Sequence, residues 1–220
     1  MAVALCSFTA VGAQEATSPE AGENSLRDGK SALIYEIVGD FDLTAFEGAN
    51  LSFKHHYTDN RAYRIGVSVS VTHENVDSDA MGVRWTEISN RREAITLTAL
   101  KLHYHNIHDR ASFYWGVGPR IGYSHERSLT DTPAWEDDWT RRTERDDAGA
   151  GILLAIGVEW FLAKELSLLG QYGSTLNYRW MRQEHAETSV ENQYRDVRRS
   201  ESSLVELRAD VVRFGLSLYW

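Results

Sequence analysis

Cysteine is almost absent: among 220 residues the one thiol is Cys6, near the N-terminus. Disulfide frameworks and cysteine-ligated metal sites are thereby excluded from the rest of the chain. Positive charge is also scarce. Lys and Arg number 23 against 32 Asp and Glu, a formal net charge of −9, so the basic footprint of a nucleic-acid binder is missing. No apolar run is long enough to cross a membrane as a helix. The best candidate, Ala148 to Ala163, falls short of the ~20 residues required and contains Glu159. If such a chain spans a bilayer it does so as a closed barrel, the other way to satisfy every backbone group in lipid.

The N-terminus reads as targeting sequence. Residues 1–13 are apolar or small and end in Val11-Gly12-Ala13, matching the apolar core and small-residue cleavage site of a secretory signal peptide. A basic leading region is missing, which is what a truncated or misassigned start gives. A lipidated Cys6 is disfavoured because Leu5 is large where a small residue is expected. Residues 14–30 follow as an acidic periplasmic leader, and residues 31–220 form one domain.

After Lys30 the pattern has a period of two, over eight segments. In the third, Tyr63, Ile65, Val67, Val69 and Val71 alternate with Arg64, Gly66, Ser68, Ser70 and Thr72. The fifth sets Phe113, Trp115, Val117, Ile121 and Tyr123 against Ser112, Tyr114, Gly116, Gly118, Arg120 and Gly122. The sixth, seventh and eighth run through Ile152–Trp160, Leu166–Trp180 and Val212–Trp220 in the same way. The first, second and fourth are weaker: Ala32 to Asp40, Ala49 to Tyr57 and Glu93 to His105. These segments predict an all-β, eight-stranded antiparallel up-and-down transmembrane β-barrel.

Alternation alone does not say which face looks out, since a soluble eight-stranded barrel shows the same pattern inverted. Three features decide. The polar face is mostly Gly, Ser, Thr and Ala with single long charged residues, as suits a crowded lumen. Aromatics of the apolar face gather near strand ends: Tyr57, Tyr63, Tyr104, Phe113, Trp160 and Trp220 in one girdle, Tyr123, Tyr178 and Trp180 in the other. The connections alternate in length. Those at 58–61, 106–110 and 163–165 are short, whereas Glu74–Arg92, Glu126–Asp147 and Gln183–Ser202 read as long polar loops. Short periplasmic turns and long external loops are the outer-membrane arrangement.

The chain closes on Arg213-Phe214-Gly215-Leu216-Ser217-Leu218-Tyr219-Trp220. This resembles the C-terminal signal by which the outer-membrane assembly machinery recognises its barrels, through Phe214, Leu216, Leu218 and Trp220, although Phe is the usual last residue. Together with Trp115-Gly116-Val117-Gly118-Pro119-Arg120-Ile121-Gly122-Tyr123 it resembles the small OmpA/OmpX/opacity-type barrels, from about Ser31 to Trp220. The resemblance implies a bacterial outer-membrane location, a monomer among lipid and lipopolysaccharide, and that assembly machinery as a partner. It implies no particular activity.

Eight charged residues take the inward phase: Glu36, Lys54, Arg64, Lys101, Arg120, Glu159, Arg179 and Arg213. A barrel this narrow is just filled by its side chains, and buried charge is tolerable when paired. An ion-pair plug is expected; a narrow solute path is the alternative. His103 and His105 share a face with His108 in the next turn, but nothing completes a recognisable metal set. Ser124, His125 and Glu126 are sequence neighbours whose faces alternate, so adjacency does not make a catalytic triad of them. Pro119 cannot donate to a ladder, and a local bulge or twist is expected there. No catalytic residue, cofactor or metal is assigned. The expected function is envelope structure, adhesion or lipopolysaccharide contact; a channel for small solutes and a lipid A-modifying enzyme are the alternatives.

Overall fold

Two-residue turns start the architecture. At Asp59-Asn60 the Thr58 hydroxyl donates to the Asn60 side-chain oxygen at 3.1 Å, and Lys164-Glu165 makes a second tight turn. Such short connections force the flanking β-branched and aromatic segments into antiparallel neighbours. The computed structural model describes residues 26–37, 49–80, 84–108, 110–132, 139–189, 194–209 and 212–220. The signal segment and most of the acidic leader lie outside the described residues.

The strands are β1 (Ser31–Ile37), β2 (Ala49–Thr58), β3 (Arg61–Ala80), β4 (Arg84–His108), β5 (Ala111–Thr132), β6 (Trp139–Ala163), β7 (Leu166–Ser189), β8 (Tyr194–Ala209) and β9 (Arg213–Tyr219). Each of β1 to β7 pairs antiparallel with the next in sequence. β9 then pairs with β7 through Leu166–Gln171 and with β1 through Ala32–Ile37, and the ring closes. β8 continues along the outer half of β7, from Ser174 to Ser189. β8 and β9 are therefore the two halves of one last strand, and the ring is eight strands round. Where the ring closes through β9 it leaves no open edge, the property that makes a sheet tolerable in lipid. Farther out, among the described residues, β8 pairs with β7 alone and β3 beyond Val69 with β4 alone.

In their described residues, the three polar segments read as loops from sequence are strand instead. β3 and β4 stay paired out to Ala80 and Arg84, β5 and β6 to Thr132 and Trp139, and β7 and β8 to Ser189 and Tyr194. Beyond the bilayer both faces of a hairpin meet water, so the hydrophobic alternation stops while the backbone ladder continues. Cross-strand ion pairs take over the pairing positions: Arg141 faces Glu187 at 2.7 Å and Arg199 faces Glu184 at 2.9 Å.

Pro119 produces no register shift. The β4–β5 ladder skips from Thr98↔Arg120 to Lys101↔Val117 and resumes in the same register, while Pro119 stays paired with Ile152 on the other side. The strand thus places its missing donor toward β4. There Gly118 also approaches closely: a Cβ on it would lie 1.8 Å from the Ala99 carbonyl oxygen.

The segment before β1 caps the short-turn end. Gly29, at φ +79°, donates to the His56 carbonyl at 2.9 Å, and the Asp28 amide donates to the Asp59 carboxylate at 3.0 Å. Leu26 is buried with this turn.

Candidate functional site

The half of the lumen nearest the short turns is filled. Lys54 on β2 reaches across to Glu159 on β6, the opposite side of the ring, at 2.8 and 3.0 Å, with neither side chain exposed. Glu159 also accepts from the hydroxyls of Tyr104 at 3.1 Å, Ser167 at 2.6 Å and Tyr219 at 2.7 Å. Lys54 donates in turn to the hydroxyls of Tyr104, at 3.1 Å, and Tyr219. Lys54, Tyr104, Glu159 and Tyr219 stand on β2, β4, β6 and β9, so one hub ties together strands from all around the ring.

A second hub stands beside it. Arg64 on β3 pairs with Glu36 at 3.2 Å and donates to Gln171 on β7, again on the opposite wall. Tyr114 donates to the same Gln171 oxygen at 3.1 Å, and Asn50 donates to Glu36. Lys54 and Arg64 are direct register partners on β2 and β3, which keeps the two hubs adjacent. Two cations meet two carboxylates, so the plug is formally neutral. Leu100, Leu102, Leu153, Leu169 and Phe161 fill the space around it. Gly157 makes room for the Tyr114 ring, which a Cβ there would meet at 2.4 Å.

Above the plug the lumen widens into a vestibule of about 480 Å³, walled by small residues such as Ser68, Ser70, Thr96, Gly122, Ser124 and Gly149. Its charged lining is Arg92, Arg120, Arg179, Arg208 and Arg213, with Asp147 and Glu206. Arg179 bridges Asp147 at 2.8 Å and Glu206 at 3.2 Å. Arg120 donates to the Thr175 hydroxyl at 3.1 Å.

The outside is the inverse of the lumen. Leu33, Leu51, Ile65, Val69, Leu97, Ile121, Leu154 and Leu216 are all exposed although apolar. Toward the short turns the band ends in Tyr57 stacked on Tyr63 at 4.6 Å, Phe53 near Trp220 at 6.2 Å, His103 stacked on Trp115 at 4.5 Å, and Trp160. At the other end Tyr178, Tyr123 and Trp180 are exposed, the last two flanking Ala148 in the ladder. From Phe113 to Tyr123 the strand climbs about 33 Å at ~3.3 Å per residue. Tilted by the ~40° usual in such barrels, this gives a band about 25 Å tall, the height of a lipid-facing surface. The chain is an eight-stranded antiparallel β-barrel of the transmembrane type.

No protein-family model and no curated protein sequence matches the barrel. Solved structures do. A major outer membrane protein from Thermus thermophilus is 15% identical, with a TM-score of 0.47 over 87% of this chain and 99% of that one. Ail, the attachment invasion locus protein of Yersinia pestis, is 10% identical, with a TM-score of 0.44 over 88% and 99%. CarO of Acinetobacter baumannii is 9% identical, with a TM-score of 0.37 over 90% and 100%.

Of the eight charges expected inside the barrel, the structure gathers Glu36, Lys54, Arg64 and Glu159 in the plug and Arg120, Arg179 and Arg213 around the vestibule. Lys101 is a correction. It is exposed between buried Leu100 and Leu102, opposite Tyr63 and Val117, and so lies on the outer face. It stands near the aromatic girdle at the short-turn end, where a lysine's long stem lies along apolar surface with its head toward water. Tyr104 is the converse: expected in the outer girdle, it is buried in the lumen as a donor to Glu159. The residues missed from sequence are the polar neutral ones, Tyr104, Tyr219, Gln171, Ser167 and Asn50, which hold the charges in place.

Phe214, Leu216, Leu218 and Trp220 all face outward, with Tyr219 turned in. His103 is taken up by Trp115, and His108 has no described side chain; among the described residues no three His, Cys, Asp or Glu gather as a metal set. Ser124 lines the vestibule while His125 faces out and meets Asp146 at 2.8 Å. Tyr123 donates to the same carboxylate oxygen at 2.7 Å. These bonds, His125 first, hold the Asp146 carboxyl below the usual carboxylate range. His125 thus has an orienting acid but turns its back on Ser124.

Proposed function

We propose that this protein is a non-conducting, non-enzymatic barrel of the bacterial outer membrane that works through the surface of its external β-hairpins. The observation that carries this reading is the Lys54–Glu159 pair spanning the full width of the lumen, with Tyr104 and Tyr219 closing on it from the other walls. A hydrated ion has no route through four interlocked, unexposed side chains, and opening one would strand a buried charge. The hairpins on β3–β4, β5–β6 and β7–β8 are the part with surface to offer, polar on both faces and rigid by pairing.

Within this reading the barrel sits as a monomer among lipid and lipopolysaccharide, delivered by assembly machinery that reads Phe214, Leu216, Leu218 and Trp220. Protein or surface adhesion is favoured over capture of lipopolysaccharide phosphates. Outward arginines at the hairpin bases already face carboxylates, as in Arg91–Glu93, Arg142–Glu144 and Arg199–Glu184. A channel and a lipid A-modifying enzyme remain the competing roles. The opposed faces of Ser124 and His125 argue against the latter.

Liposome swelling and cell attachment test the proposal together. Refolded protein should give no uptake of small sugars or amino acids above empty vesicles. Expressing cells should attach to a surface they contact, and lose that attachment when the β5–β6 hairpin is cut back to its base at Tyr123 and Ala148. Solute uptake by the wild type, or unchanged attachment after trimming each hairpin, contradicts the reading.

A further inference from the structure

The vestibule above the plug runs against the charge of the whole protein. The chain carries a formal −9, yet this cavity is lined by five arginines, Arg92, Arg120, Arg179, Arg208 and Arg213, against only two carboxylates. Every basic residue in the lining is Arg and none is Lys. A planar fork binds oxyanions with paired donors, which an ammonium cannot do. The two carboxylates are already engaged, since Asp147 and Glu206 both bind Arg179, and Asp147 also lies 3.2 Å from Arg145. Among the described residues, neither Arg92 nor Arg208 has a carboxylate at ion-pair distance.

The geometry brings these heads to one level. Arg120 reaches from β5 to the Thr175 hydroxyl on β7, and Thr175 is the register partner of Arg208 on β8. The walls between them are Ser, Thr, Gly and Ala, leaving about 480 Å³, within the range of small-molecule sites. A positive cavity with low-dielectric walls concentrates anions from solution, and the neutral plug beneath it stops them from passing on.

We propose that this vestibule is a binding site for a multiply charged oxyanion, the phosphate or diphosphate group of a small solute, entering from the external side. Arg92 and Arg208 supply the donors not engaged by protein carboxylates, with Arg120 and Arg213 completing the field and Arg179 fixed as the anchor of the wall. The site goes beyond a role in surface contact, and its failure is separable from failure of the plug, because binding and conduction are measured independently.

The test is calorimetric titration of the refolded full chain, in zwitterionic detergent at low ionic strength, with inorganic pyrophosphate. One saturable site per barrel is expected, weakening steeply as salt is added. The double variant Arg92→Gln/Arg208→Gln should bind at least about tenfold more weakly while keeping the wild-type heat shift on gels, since both residues lie outside the plug. An outward-facing control, Arg127→Gln/Arg142→Gln, should bind as the wild type does. Absence of saturable binding overturns the proposal. So does loss of binding in the outward variant with the vestibule variant unaffected, which would put the anion on the outer surface where lipid phosphates lie. If the vestibule variant loses its heat shift, Arg92→Lys/Arg208→Lys replaces it: charge retained with the fork lost should still weaken binding, and undiminished affinity counts against the site.

Discussion

Replacing Glu159 by Gln should destabilise the barrel by about 3–5 kcal/mol, the usual cost of removing one partner from a buried ion pair. Glu159 accepts from Lys54, Tyr104, Ser167 and Tyr219, and no part of it is exposed. Glutamine fills the same space but keeps one acceptor oxygen and turns the other position into a donor. Facing a ring of donors, that amide leaves the Lys54 ammonium without a counter-charge and opposes another donor. Against a typical total stability of about 5–15 kcal/mol, such a loss is large. Urea unfolding of barrels folded into phospholipid vesicles, followed by tryptophan fluorescence, measures it. Lys54→Met should cost a similar amount, and the double variant clearly less than the two single costs added, because removing both charges leaves neither stranded. A loss below about 1 kcal/mol for Glu159→Gln, or strict additivity with Lys54→Met, would refute the claim that these groups are mutually dependent in a dry lumen.

Four other outcomes follow from the same geometry. Leu154→Arg and Leu216→Arg, on the apolar belt, should each cost about 2–4 kcal/mol in vesicles, read by the same unfolding assay. Gly157→Ala pushes a methyl into the Tyr114 ring and should cost about 1–3 kcal/mol as overpacking, visible as a lower heat-shift temperature. In a Cys6→Ser background, Arg198→Cys on the β7–β8 hairpin should react with an impermeant maleimide on intact cells, whereas Asn60→Cys at the short β2–β3 turn should not. Asp146 titrates low because His125 and Tyr123 hydrogen-bond to it, so its contribution at the base of the β5–β6 hairpin is present above the normal carboxylate pKa and lost as pH falls through the depressed one. Amide protection there, taken relative to the intrinsic exchange rate at each pH, should fall on acidification in the wild type and change less in Asp146→Asn.

The barrel was legible in the sequence wherever one face meets lipid. Ile152, Leu154, Ile156 and Val158 alternate with Gly151, Ala155, Gly157 and Glu159 because slipping by one residue would turn every lipid-facing side chain inward. That constraint ends at the membrane boundary, which is why the hairpins beyond Tyr123 and Trp180 read as loops although their ladders continue. Lys101 was misplaced by its own chemistry: a lysine looks as if it belongs in the lumen. The phase set by Ile95 and Leu97 outside, and Thr96 and Thr98 inside, carries forward to put Lys101 outside and Tyr104 inside. The charge partners themselves were not legible. Lys54 and Glu159 are 105 residues apart, and only ring closure sets β2 against β6. Tyr104 looks like a girdle residue until the parity of its strand is known.

Single-channel recording in planar bilayers tests the closed lumen most directly. Refolded wild-type protein should give no conductance steps above the bare bilayer at any voltage the membrane withstands, and Lys54→Met/Glu159→Gln should stay equally silent because its remaining side chains still fill the bore. Reproducible open steps from the wild type, with ion selectivity that changes in Glu159→Gln, would show water around Glu159 and contradict the plug.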